Sequence, residues 1–122
     1  MDGTRKGVDD GRVKSPLEVL LGRTAARLLL HLVHYGEAYA RGASQDLGIA
    51  LGPVQRQFEK LEAAGFLVSK RLGTARVYRV NPKSPAARKL LELGEVFYEG
   101  IPLEERQRLF ATRRRPRRAG KP

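Results

Sequence analysis

Cysteine is absent from the 122 residues, which excludes a disulfide framework, a thiolate metal site and a cysteine nucleophile. Long apolar runs are absent as well. None exceeds three residues, as at Leu28–Leu30, whereas a membrane-spanning helix needs about twenty. The first fourteen residues, MDGTRKGVDDGRVK, hold no apolar stretch, so no secretory signal is expected and a cytoplasmic, nucleoid-associated location fits. Aromatic residues make up only 7% of the chain, which argues against a surface on which single-stranded bases stack. Acidic residues are scarce, 13 against 24 lysines and arginines.

That imbalance leaves a net charge of +11, the signature of a polyanionic partner, either nucleic acid or an acidic membrane surface. Its distribution narrows the choice. Residues 15–50 are neutral overall and 84–110 carry −1, whereas 51–83 hold seven cations (Arg56, Lys60, Lys70, Arg71, Arg76, Arg79, Lys83) against two acids. The last twelve residues, ATRRRPRRAGKP, add six more. The excess is confined to one folded stretch and one tail. An apolar content of 41% supplies one modest core and no separate sensor domain.

Four segments follow. Residues 1–14 and 111–122 lack the apolar residues to fold and are expected to be disordered tails. Between them, 15–83 is expected to form the binding domain and 84–110 a pair of C-terminal helices. Ser15-Pro16 and Ser84-Pro85 each read as an N-cap followed by proline at the first helical position. Thr24 is expected to cap a second helix with Ala25, Leu28, Leu29, Leu32 and Val33 on its apolar face, closed by Gly36. Ala38–Ala40 could be a strand stub, and a helix is expected over 41–47. Pro53–Ala64 is helical by the spacing of Val54, Phe58 and Leu61. FLVSKR and RVYRV read as a hairpin about LGTA, with Gly73 in the turn. Pro102 should open a last short helix, LEERQRLF.

Between the third and fourth helices stands Gly48-Ile49-Ala50. A glycine there can take positive φ and reverse the chain, while Leu47 and Ile49 pack the two helices together. The arrangement is a helix-turn-helix, whose second helix can enter a DNA major groove. With Val54 facing the core, Gly52, Arg56, Glu59 and Lys60 face outward and Gln55 lies at the margin. Gly52 and Pro53 keep the helix start slim. Arg56 can pair two donors with guanine, Gln55 or Gln57 can match adenine, and Lys60 suits phosphate. Glu59 could read cytosine or pair with a neighbouring cation. The basic hairpin, with Lys70, Arg71, Arg76 and Arg79, can touch phosphates and place an arginine at a minor groove, the alternative being solvated strand charge.

With its helix-turn-helix and hairpin, the chain resembles the winged helix-turn-helix proteins of the ArsR-like transcriptional regulator class, from about Ser15 to Leu93. GPVQRQFEKLEAAGF and RVYRVN are also similar to the corresponding stretches of compact bacterial and archaeal winged-helix proteins associated with nucleotidyltransferases. The resemblance implies a mainly α fold with a small β-hairpin (α+β), a winged helix-turn-helix with a C-terminal helix. It implies double-stranded DNA as partner, with Gly52, Pro53, Gln55, Arg56, Gln57 and Lys60 on the recognition helix and Gly73, Thr74 and Arg76 at the wing. In two respects the chain departs from the class. Ala50 stands where a capping serine or threonine is usual, and the cysteines of the metal-sensing branch are missing.

Other groupings carry less. His31 and His34 lie three apart with Glu37 nearby, but metal sites take three or four ligands, so packing or partial exposure is favoured and no metal or cofactor is expected. Asp9-Asp10 lies in a tail and cannot hold catalytic geometry. No catalytic grouping or phosphate-binding glycine loop is present, so no enzymatic activity is expected. The helix at 84–99 offers one stripe with Leu90, Leu93 and Phe97 and another with Ala87, Leu91 and Val96. Leu90, Leu91 and Phe97 are candidates for pairing two subunits, the alternative being a helix used up in its own core. The tail arginines Arg113, Arg114, Arg115, Arg117 and Arg118 could dock on phosphates or serve solubility. The resulting expectation is a dimeric, sequence-specific regulator. An architectural or adaptor module with a protein partner on 84–110 is the alternative reading, and RNA binding a third.

Overall fold

The computed structural model describes residues 15–110 and contains six helices and one hairpin among them: α1 (Pro16–Leu21), α2 (Arg23–Tyr35), α3 (Ala40–Leu47), α4 (Leu51–Ala63), β1 (Leu67–Leu72), β2 (Ala75–Val80), α5 (Pro85–Glu99) and α6 (Leu103–Phe110). The two serine-proline starts form as expected. Ser15 Oγ accepts from the Glu18 amide at 3.2 Å and Ser84 Oγ from the Ala87 amide at 3.0 Å, each satisfying one amide that the first helical turn leaves unpaired. The two expected tails, 1–14 and 111–122, lie outside the described residues.

Three boundaries differ from the sequence expectation. Thr24 lies inside α2, which starts at Arg23 with Gly22 in the cap position. Gly22 takes φ +88, so one glycine both ends α1 and turns the chain into α2, and no side-chain cap is needed. The fourth helix begins at Leu51, two residues before Pro53. Proline is tolerated there because the amides of the first turn have no intrahelical acceptor in any case. The hairpin ladder runs to Leu72↔Ala75, leaving only Gly73 and Thr74 in the turn rather than all of LGTA. Gly73 supplies the positive φ, +64.

Helix α2 is the centre of the packing. On one side Leu28 and Leu32 join Ala38, Ala43, Ile49, Val54, Phe58, Leu67 and Tyr78, which is the core of the helix-turn-helix and hairpin. On another, Ala26 and Leu29 join Leu17, with Leu21, Leu90 and Phe97 packed around them. The expected strand stub is reduced to one residue. Ala38 exchanges both backbone hydrogen bonds with Tyr78, at 2.9 and 2.7 Å, adding an antiparallel bridge to the hairpin.

Helix α5 divides its faces differently from the sequence expectation. Ala87 and Gly94 are buried, and Leu90 and Phe97 pack on the α1–α2 cluster, so the inner stripe is 87, 90, 94, 97. Leu93 and Val96 remain exposed. Gly94 sets the α2–α5 approach, since a Cβ there would lie 2.9 Å from Leu29 Cγ, a branch point that cannot swing away. Gly94→Ala is expected to force the helices apart at a cost of about 1–3 kcal/mol. Better helix propensity returns about 1 kcal/mol. Urea unfolding should therefore show a net loss of up to about 2 kcal/mol, and a gain would show that α2 and α5 separate without strain.

Helix α6 folds back on α2 and α3. Its last residue, Phe110, is buried and stacks on His34 with ring centroids 4.8 Å apart. Tyr35 Oη donates to the Phe110 carbonyl, and the Arg106 guanidinium lies over the Tyr98 ring at 4.9 Å. The C-terminal segment 84–110 thus packs on α2, the helix whose other side closes the core of the helix-turn-helix.

Candidate nucleic-acid interface

The turn between α3 and α4 is built by Gly48 and Ser44. Gly48 adopts the left-handed conformation, φ +67, ψ 30, and the amides of Gly48 and Ile49 both donate to the Ser44 carbonyl at 2.9 and 3.2 Å. Ser44 Oγ donates to the Ile49 carbonyl at 2.5 Å. Ile49 is buried and wedges the two helices together. This is the helix-turn-helix that the sequence break announced.

Helix α4 is held by Val54 and Phe58, both fully buried. Its outward face carries Gln55, Arg56, Glu59 and Lys60, all exposed, whereas Gly52, Pro53 and Gln57 are half-buried. Gln55 is therefore the better placed of the two glutamines to meet a base edge. A Cβ on Gly52 would sit 3.4 Å from Arg56 Nη1, so the Arg56 guanidinium lies back over the first turn of the helix. A cation there faces the positive end of the helix dipole. Ala50 gives the helix start no side-chain cap.

The hairpin register sets out the wing. Cross-strand partners share a face and successive residues alternate, so Leu67/Val80, Ser69/Tyr78 and Arg71/Arg76 line one side. That side faces α4, because Tyr78 stacks on Phe58 at 4.4 Å with the rings 8° from parallel. Burial pushes the Tyr78 phenol pKa up; Glu62 and Glu59 add to this and Arg76 opposes it. The face grades from apolar at the root to cationic at the tip, where Arg71 stands directly opposite Arg76. Like charges in such a pair repel. Lys70, Arg71, Gly73, Thr74 and Arg76 are all exposed.

Three arrangements escape sequence reasoning because they join residues on different elements. Ser69 Oγ donates to Glu62 Oε2 at 2.6 Å and accepts from Arg76 Nη1 at 3.0 Å, linking the end of α4 to the wing. Asp46 Oδ2 lies 2.8 Å from His31 Nε2, tying α3 to α2. His31 is buried, whereas His34 is exposed, with Nδ1 2.6 Å from Tyr98 Oη. Desolvation lowers the His34 pKa, Asp46 works against it and Arg106 with it. Among the described residues, no group of three or more His, Asp or Glu could hold a metal ion, and no helix is long and apolar enough to cross a membrane. Nor, among the described residues, do Arg56, Lys60, Lys70, Arg71 or Arg79 take part in an ion pair. The tail arginines Arg113, Arg114, Arg115, Arg117 and Arg118 lie outside the described residues.

No family model matches the chain, and no curated protein matches its sequence. Among solved structures, the antimony-specific transcriptional repressor AntR superposes with a TM-score of 0.52 and 23% identity, covering 82% of this chain and 94% of AntR. A homodimeric winged helix-turn-helix DNA-binding domain from Mycobacterium bovis, Mb0332, described as a possible ArsR-family regulator, gives 0.49 and 17%, covering 76% of this chain and 94% of the domain. A single-residue mutant of ZitR from Lactococcus lactis gives 0.49 and 18%, covering 84% of this chain and 76% of ZitR. At these identities the likeness to AntR is one of fold. With a helix-turn-helix followed at once by a two-stranded wing, and a C-terminal helix closing the core, the chain is a winged helix-turn-helix protein.

Proposed function

We propose that this protein is a transcriptional regulator that binds double-stranded DNA sequence-specifically as a homodimer. Helix α4 enters the major groove and the Gly73–Thr74 wing reaches the flanking backbone or minor groove. One observation carries the reading. On α4 and on the wing, positive charge is set against positive charge. Arg56 lies over the positive end of α4, and Arg71 opposes Arg76. A polyanion relieves both. Arg56 and Gln55 then meet base edges, while Lys60, Lys70, Arg71, Thr74 and Arg76 meet phosphates and sugars. The arginines of 111–122 add a phosphate-binding arm.

Deleting residues 111–122 is expected to weaken binding to all duplex sequences alike and to flatten the dependence of affinity on salt. The log–log slope should fall by about 0.9 for each phosphate that the tail no longer neutralises. Fluorescence anisotropy across a salt series checks this. A loss confined to a preferred site would mean that the tail reads sequence.

The pairing surface is the outer side of α1 and α5. Both helices bury their inner faces in one cluster, and outside it Val19 and Leu20 on α1 are exposed at 69% and 68%, and Val96 and Leu93 on α5 at 66% and 38%. Of the residues expected from sequence to pair subunits, Leu90 and Phe97 are turned into the protomer and Leu91 is half-buried. Val96→Glu is expected to halve the sedimentation mass with helix content unchanged. An unchanged mass would remove α5 from the interface. Two such protomers present their recognition helices about one DNA turn apart, roughly 34–36 Å, to a two-fold site.

A further inference from the structure

A cavity of about 140 Å³ lies between the end of α1 at Leu21, α2, the C-terminal end of α4, the root of the wing and α5. Leu29, Leu32, Leu61, Leu67, Val80 and Leu90 supply most of its wall, and every lining residue is apolar. A water molecule needs two to four polar partners to settle in such a space, and no side chain of this wall provides one. Leu61, Val80 and Leu90 are only half-buried, so the cavity communicates with solvent and can fill without unfolding. Close packing is the norm for protein interiors, and an apolar space at the meeting point of five elements leaves its lining short of contacts.

We infer that this cavity is a binding site for a small, uncharged, nonpolar molecule about the size of one aromatic ring. Its volume is close to that of an apolar protein cavity, roughly 150 Å³, that stays dry and takes up benzene. Charged or strongly hydrogen-bonding ligands are disfavoured, since the walls leave their polar groups without partners. An occupant touches α4 through Leu61, the wing through Leu67 and Val80, and α5 through Leu90, so it braces the recognition helix against the C-terminal helix. The site itself does not depend on the DNA-binding reading.

The test is a titration of the full-length, DNA-free protein with benzene, followed by methyl carbon–proton NMR. Saturable shifts are expected at Leu29, Leu61, Val80 and Leu90, with the exposed methyls of Val19 and Leu20 unmoved, and with Tm raised by a few degrees. Benzoate should leave the cavity methyls in place. Ala87→Leu and Ala25→Leu fill the space from two different helices, and either one that folds should abolish the response. No shift of the cavity methyls at benzene saturation overturns the inference, as does an equal response at Val19 and Leu20. Retention of the response in a folded filling variant, or an equal response to benzoate, overturns it too. Should both variants fail to fold, the pattern of shifts in the unaltered protein decides.

Discussion

Phe58→Ala is expected to destabilise the protein by about 3–5 kcal/mol, the usual cost of deleting a fully buried phenyl ring. Phe58 has no exposed surface. It is packed in the cluster that joins α2, α3, α4 and both strands, and its ring stacks on Tyr78. Domains of this size are stable by about 5–15 kcal/mol, so the variant should be marginal or unfolded at ambient temperature. The stacked pair also sets the wing against α4. Urea unfolding measures the loss, and near-ultraviolet circular dichroism should show the Tyr78 signal weakened. Phe58→Leu keeps most of the volume and should cost far less. A loss below about 1 kcal/mol for the alanine variant, outside the range for such truncations, would mean that this position is not the packed junction seen here.

Arg56→Ala is expected to cost about 1–3 kcal/mol in affinity for a preferred duplex, or roughly 5- to 150-fold, if its guanidinium reads guanine through two donors. Random duplex should lose much less, since only one cation is removed. The side chain is exposed and reaches over Gly52, so its removal leaves the core intact and stability within about 0.5 kcal/mol of the original. Arg56→Lys discriminates further. It keeps the charge and forfeits the planar fork, so it should restore binding to random duplex and leave the preferred site impaired. Equal losses on both duplexes would assign Arg56 to phosphate.

Much of this arrangement was legible in the chain because local signals decide it. Ser15-Pro16 and Ser84-Pro85 start helices where they stand, Gly48 makes the turn by its left-handed conformation, and the two β-rich runs pair as a hairpin with Gly73 in its turn. What was hidden falls into two kinds. Some positions lack the expected signal. Ala50 cannot mark the start of α4 because it has no capping oxygen, and Gly94 lies at the centre of the inner face of α5 without contributing to any apolar pattern. Hydropathy alone therefore set Leu93 rather than Gly94 in the stripe with Leu90 and Phe97. Other features exist only once distant segments meet. Glu62, Ser69 and Arg76 come together across the hairpin and helix, His31 finds Asp46 fifteen residues on, and the apolar cavity has walls from five elements. No spacing rule along the chain announces such meetings.

The most direct test of sequence-specific DNA binding is selection from a random duplex DNA pool with the full-length protein at near-physiological salt. Enrichment of a defined motif is expected, arranged as an inverted repeat with half-sites one helical turn apart, as a symmetric dimer requires. Measurable binding without any enriched motif would contradict sequence-specific recognition. The basic surface would then serve attachment alone, as in an architectural or adaptor module.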